Sequence, residues 1–215
     1  TLFDMLEDRF TPPALRERYA TQPLFPPFIQ VSLGVNRDMS GTPHAVKAQT
    51  SAPFELAGQM RQEVWYQHFA YDPTLAPVGK TAITVLYPSD LAWWEKLGYA
   101  TEAYKAEKRR ILETTIAQLE QMLPGVSAQI EVSDVATPFT TLRYVHTWKA
   151  SLSFMMTKEV AADMTMKPQY VLPGLANFYM IGLWVKGFGV PMAAVSGKDV
   201  IREICKVDGK KFVIE

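Results

Sequence analysis

Apolar and polar positions alternate from Ile29 to Val35. Ile29, Val31, Leu33 and Val35 fall on one side, with Gln30, Ser32 and Gly34 on the other, the period-two pattern of a half-buried strand. Gln62–Phe69 and Lys80–Tyr87 also read as strands, and the turn-rich Tyr71-Asp72-Pro73…Pro77…Gly79 between them predicts an antiparallel hairpin. The longest helical pattern runs from Thr101 to Leu123. There Tyr104, Ile111, Leu112, Ile116, Leu119 and Leu123 recur at three- and four-residue steps with charges between them, and Pro124-Gly125 ends the run. Val126 to Val135 alternates again as a strand. Near the start, Thr11-Pro12-Pro13 opens a short helix to about Tyr19, and Gln22 to Pro27 is proline-rich and extended. Grouped strands, one long amphipathic helix and a returning strand predict an α+β fold with a mixed or antiparallel sheet, rather than repeated βαβ units.

The C-terminal stretch has a different pattern. An apolar run from Phe178 to Trp184 reads as a strand, breaks at Gly187 and Gly189, and resumes as a helix from about Pro191. A strand–Gly-x-Gly–helix lets a ligand approach the backbone and face the free N–H groups and positive end of the helix. A tight connection is the plain alternative. No GxGxxG fingerprint occurs in the chain.

Composition narrows the chemistry. The 215 residues carry 22 Lys+Arg and 22 Asp+Glu, so no global charge draws nucleic acid or an anionic membrane, and no nucleic-acid partner is expected. A single cysteine, Cys205, excludes an internal disulfide and suits a reducing, cytoplasmic setting. Three scattered histidines without CxxC or HExxH give a metal site no support. His44, His68 and His146 read better as surface or hydrogen-bonded core residues than as general bases. The basic run Lys105 to Arg110 has two readings, an anion patch or a solvated helix face, and the interleaved acids favour the second. Arg143, in the stretch TPFTTLRY, could fix a carboxylate or a backbone carbonyl. Met155, Met156, Met164 and Met166 near Phe154 suit an adaptable tunnel for a flexible hydrocarbon, and core gap-filling explains them as well. Trp93-Trp94 and Trp65-Tyr66 carry the same two readings. No Ser-His-Asp, Cys-His or paired-carboxylate constellation is visible, so no catalytic side chain is assigned.

Several stretches together carry a resemblance. The segment Leu172-Pro173-Gly174-Leu175-x-Asn177-Phe178-Tyr179-Met180-x-Gly182-x-Trp184, followed by Gly187-x-Gly189-x-Pro191-x-Ala193-Ala194-x-Ser196-Gly197, resembles the C-terminal flavin motif of the phytoene dehydrogenase-like oxidoreductases. That family contains carotenoid desaturases, carotenoid isomerases and related FAD proteins. Tyr71-Asp72-Pro73-x-Leu75-Ala76-Pro77-x-Gly79-Lys80, Tyr104-x-x-Glu107-Lys108 and Ala136-Thr137-Pro138-x-Thr140-x-x-Arg143-Tyr144 are similar to the family in order and spacing. The resemblance implies a substrate-side α+β domain over residues 1–170. A strand–turn–helix over 171–215 would close on the flavin, and an N-terminal Rossmann-type FAD-binding segment would lie outside this chain.

It further implies an FAD-dependent oxidoreductase acting on a long apolar, carotenoid-like substrate by desaturation, saturation or isomerisation, with this fragment inactive alone. The implied cofactor contacts are Gly182, Leu183, Trp184, Gly187, Gly189, Val190, Pro191 and Met192; the implied substrate contacts are Arg143, Met155 and Met156. Peripheral association with a membrane and self-association of the fragment are the other contacts expected. The chain departs from the family at Leu183, where Gln, Glu or Asp is common, and at Phe188, which interrupts the glycine-rich turn. Val145-His146-Thr147 also stands where a Thr-Gly pair is usual. These departures admit a non-catalytic binding module that kept the fold and lost its flavin.

Overall fold

In the computed structural model, which describes residues 2–7, 9–155, 157–158, 168–187 and 189–213, the chain divides into two compact units. One is Pro26–Ala150 and the other joins Thr1–Phe25 to Ser151–Glu215. These boundaries follow the chain's contacts and differ from the expected division at residue 170.

The first unit is built on a five-stranded sheet in the order β2-β3-β4-β1-β5, formed by β1 (Phe28–Val35), β2 (Ala45–Leu56), β3 (Gln59–His68), β4 (Thr81–Pro88) and β5 (Ile130–Ala136). Every pairing is antiparallel, so the α+β class holds and the sheet is antiparallel rather than mixed. The expected hairpin is present, with Tyr66 opposite Val85 and His68 opposite Ile83. The alternation seen in the sequence orients the sheet. Ile29, Val31, Leu33 and Val35 are buried together with Val64, Tyr66, Ile83, Val85 and Tyr87. Trp94 of α3 (Leu91–Leu97) and Tyr104, Ile111 and Leu119 of α4 (Glu102–Met122) complete that core.

The long helix begins at Thr101, whose hydroxyl accepts from the Tyr104 amide at 3.1 Å. It ends where the Glu120 carboxylate accepts from the Gly125 and Ser127 amides at 2.6 and 2.9 Å. Each satisfies amides that the chain reversal would otherwise leave unpaired. A shorter helix, α5 (Pro138–Val145), follows β5 and opens with a capping box between Thr137 and Thr140.

The second unit contains α1 (Leu2–Met5), α2 (Pro13–Thr21), α6 (Leu183–Lys186) and α7 (Val190–Val207). Its two chain segments meet through Phe25 N–H to Ser153 O at 2.9 Å and Met155 N–H to Pro23 O at 2.7 Å. No strand is found over Phe178–Trp184 among the described residues, which corrects the expected strand–turn–helix. Positive φ at Asn177 (57°) and Gly182 (100°) breaks the extended path. Gly182 then begins α6, which takes in only Leu183 and Trp184 of the run, while Phe178–Ile181 have no regular structure. The helix after Gly189 forms as the pattern predicted. No helix among the described residues is long and apolar enough to cross a membrane.

Candidate functional site

The residues singled out near the C-terminus sit on two consecutive helices of one unit. Gly182 and Gly187 bracket α6 with φ of 100° and 112°, and Gly189 precedes α7 with φ of 97°, a region that L side chains enter only with strain. A side chain added at Gly182 would meet open space. The start of α7 has no side-chain cap, Pro191 stands in its first turn, and Val190, Pro191 and Met192 are exposed. The backbone of Val190–Met192 is therefore accessible, whereas Gly182, Gly187 and Gly189 are half-buried.

What holds this turn in place is polar and internal. Ser196, fully buried on α7, accepts from the Gly182 amide at 2.8 Å and donates to the Ala193 carbonyl at 2.5 Å. Asp199, one turn further on, receives the Lys186 ammonium and the Tyr170 hydroxyl, the latter at 2.8 Å. The contacts from Lys186 first and Tyr170 second hold the Asp199 carboxyl below the usual carboxylate range. The same pairing with Asp199 holds Lys186 above the ordinary lysine value.

The fold favours ionised Asp199, so its contribution is full above the ordinary carboxylate pKa of about 4 and fades as pH falls through the lower folded value. Lys186 works in the opposite window, contributing below about pH 10 and fading as pH rises. Asp199→Asn should therefore flatten the loss of stability on acidification between about pH 5 and 2. Denaturant unfolding at a series of pH values reads this, and equal slopes for the two proteins would sink the idea.

Trp184 is placed in an aromatic cluster. Its ring stands 6.0 Å from Tyr19, nearly parallel, and 5.2 Å from Phe154, edge to face, while Tyr19 meets Phe154 at 4.8 Å. Arg18 lies over the Phe154 ring at 4.6 Å. These contacts anchor α6 to α2, a packing duty that ring pairs perform well. Leu183, half-buried beside Trp184, offers no polar group to a ligand. Met155 is fixed through its backbone to Gln22 and Pro23. Met156, Met164, Met166 and Phe188 lie outside the described residues.

In the sheet unit, Trp94 and Tyr66 are core residues and Trp93 packs against that core. His68 is a satisfied core histidine, with Thr42 Oγ1 at 3.0 Å from Nε2 and the Ala70 amide at 3.4 Å from Nδ1. Arg143, exposed near the end of α5, bonds the Tyr99 hydroxyl at 2.7 Å. Among the described residues no group of His, Cys, Asp and Glu could hold a metal ion.

A cavity of about 490 Å³, not anticipated from the sequence, lies beside the Ser32, Gly34, Ala82 and Thr84 positions, the side of β1 and β4 opposite the buried one. Leu75, Ala76, Pro77 and Val132 wall it, and the Lys80–Glu131 ion pair, at 2.6 Å, lies at its border. The signal was available. The off-core residues Ser32, Gly34, Ala82 and Thr84 are small, and the Leu75-Ala76-Pro77 loop is apolar. A cavity of this size with few polar groups suits an apolar small molecule.

Among known proteins, no family model matches the chain, and no curated protein matches it. A solved structure described as an oxidoreductase from Methanosarcina mazei aligns with it at 14% sequence identity and a TM-score of 0.48. The alignment covers 88% of this chain and 36% of that one, so the chain spans roughly a third of that protein's length.

Proposed function

We propose that this chain is the C-terminal part of an FAD-dependent oxidoreductase of the phytoene dehydrogenase-like kind, acting on a long apolar substrate. The observation that carries the reading is the exposed, uncapped start of α7 at Val190–Met192, directly after Gly189. The motif resembling the family's flavin segment coincides with exposed, glycine-lined backbone at the start of an 18-residue helix. The residues present fit a flat ring edge: nothing crowds Gly182, and the first amides of α7 are free of side-chain caps. Ser196 and the Asp199–Lys186–Tyr170 cluster keep that backbone in register for the ring.

The flavin, when bound, supplies the redox chemistry, and the chain supplies binding, orientation and exclusion of water. In the sheet unit, the cavity walled by Leu75, Pro77 and Val132 offers an apolar place for a hydrocarbon segment. Desaturation, saturation and double-bond isomerisation all suit such a substrate. The adenosine and pyrophosphate half of FAD would be held by an N-terminal nucleotide-binding segment of the same protein. Leu183, where the family commonly has a hydrogen-bonding residue, favours one second reading: a module of the same fold that binds an apolar ligand or partner without flavin.

The full-length gene product, purified and examined for the visible absorbance of bound flavin, separates the two readings. Bound or loadable flavin supports the enzyme. Its absence, with flavin affinity created by Leu183→Gln, supports the binding module. The 215-residue chain alone should show no saturable binding of FAD below ~10 μM, equivalent to about 7 kcal/mol. The attraction of a helix start for a partial charge is only about 1 kcal/mol, too little to immobilise a large flexible cofactor. Tight binding by the chain alone would mean that the site is complete within it.

A further inference from the structure

A second cavity in the sheet unit, of about 340 Å³, opens where α4, β5 and α5 converge, and its walls include Tyr99, Tyr104, Lys108, Asp134, Arg143 and Tyr144. Its charge is unbalanced. Lys105, also at its wall, is matched by Glu102 at 2.8 Å. Neither Lys108 nor Arg143 has an ion-pair partner among the described residues. The acids interleaved along the helix do not serve Lys108: Glu107 is turned to Arg110 at 2.8 Å and accepts from the Ala57 amide at 3.2 Å. Lys108 instead stands 5.9 Å from the Tyr104 ring centre. Arg143 stands 5.4 Å from that of Tyr144 and spends one donor on the Tyr99 hydroxyl, leaving the rest of its fork unused. Asp134 is the one carboxylate at the wall.

Two unmatched cations, three tyrosine rings and one carboxylate are a consistent set. A guanidinium and an ammonium converge on an oxyanion, the guanidinium in bidentate fashion. Ring faces take the flat or C–H side of an organic group, and a carboxylate accepts from its hydroxyls. We propose that this pocket binds the phosphate monoester of a hydroxylated organic group, with the phosphate on Arg143 and Lys108 and a ligand hydroxyl on Asp134. The proposal is independent of the flavin reading, since none of these residues belongs to the turn from Gly182 to Met192.

A soluble sugar phosphate and a phosphorylated lipid headgroup present the same chemistry. Ribose 5-phosphate and inorganic phosphate are titrated into the purified chain by calorimetry. In parallel, the chain is sedimented with phosphatidylcholine vesicles with and without phosphatidylinositol 4-phosphate. Saturable binding of ribose 5-phosphate, tighter than that of inorganic phosphate, assigns a soluble ester. Binding only to the phosphoinositide vesicles assigns the headgroup.

In either case Arg143→Gln and Lys108→Gln should each weaken binding at least tenfold. Lys47→Gln, which removes a cation paired with Glu63 elsewhere on the sheet, should leave it unchanged. Thermal melts of the variants establish that they are folded; Lys108→Gln leaves the Arg143–Tyr99 bond intact, so one variant stands if the other does not fold. Binding indifferent to both substitutions, or no saturable binding of either probe at millimolar concentration, overturns the proposal.

Discussion

Trp94→Ala should lower the stability of the sheet unit by about 3–5 kcal/mol, the usual cost of removing a large buried aromatic side chain. Trp94 is fully buried on α3, and its indole N–H donates to Ser89 Oγ at 2.9 Å. The ring meets Tyr104 edge to face at 5.6 Å, and the Tyr104 hydroxyl in turn bonds Thr137 Oγ1 at 2.9 Å, at the cap of α5. Truncation therefore opens a cavity and leaves the buried Ser89 hydroxyl without its donor, two costs that add. It also loosens the ring that positions the α4–α5 pair around the proposed phosphate pocket. Trp94→Phe keeps most of the volume and loses only the hydrogen bond and part of the ring, so it should cost markedly less. Denaturant titration followed by far-ultraviolet circular dichroism reads both variants. A Trp94→Ala loss under about 1 kcal/mol would mean that the site collapses freely and that the core is not held there.

The elements legible in the sequence were those whose burial is one-sided and uninterrupted. β1, β4 and α4 announce themselves because every second or every third-to-fourth residue enters the same core. β2 did not. Over Ala45–Leu56 its first nine residues are exposed or half-buried, Pro53 lies within it, and its pairing with β3 shifts register between Gln49 and Phe54. A strand that buries little before Phe54 and Leu56 leaves only a weak alternation to read. Phe178–Trp184 failed in the opposite way. Ile181 is exposed, Trp184 packs from a helical turn against Tyr19 and Phe154, and a short apolar run cannot by itself tell helix from strand.

The candidate site divides along the same line. The glycine turn could be read locally because it is local. The interleaved acids of the Lys105 to Arg110 run favour a solvated face, but which reading holds depends on what faces each side chain. Glu107 turns to Arg110 while Lys108 turns to the cavity, and Asp134, Arg143 and Tyr144 reach that cavity from β5 and α5.

Gly58→Ala should cost about 2–5 kcal/mol, and the cost has two separable parts. β2 and β3 are joined by Ala57-Gly58, both at positive φ (51° and 72°), the pair of conformations a two-residue hairpin of the I′ kind needs. Alanine at the second position adds about 1–2 kcal/mol of left-handed strain. The larger part is steric. A Cβ on Gly58 would stand 2.6 Å from the Trp93 ring, at Cε3 and Cζ3. That ring is packed against the core, and its buried Nε1 makes no hydrogen bond among the described residues. Nothing polar therefore tethers the ring, but moving it means repacking the hairpin, for about 1–3 kcal/mol more. The turn is held meanwhile by Glu55, which accepts from the Gly58 amide at 2.7 Å, and by Glu107, which accepts from that of Ala57. The backbone cannot swing away without breaking both bonds. Gly79→Ala supplies the control. Gly79 also has positive φ (78°), but a side chain there meets nothing within 4 Å, so it should cost only the strain, about 1–2 kcal/mol. The difference between the two variants in denaturant unfolding measures the contact with Trp93. Equal losses would show that the ring moves aside freely and that Gly58 is required by the turn alone.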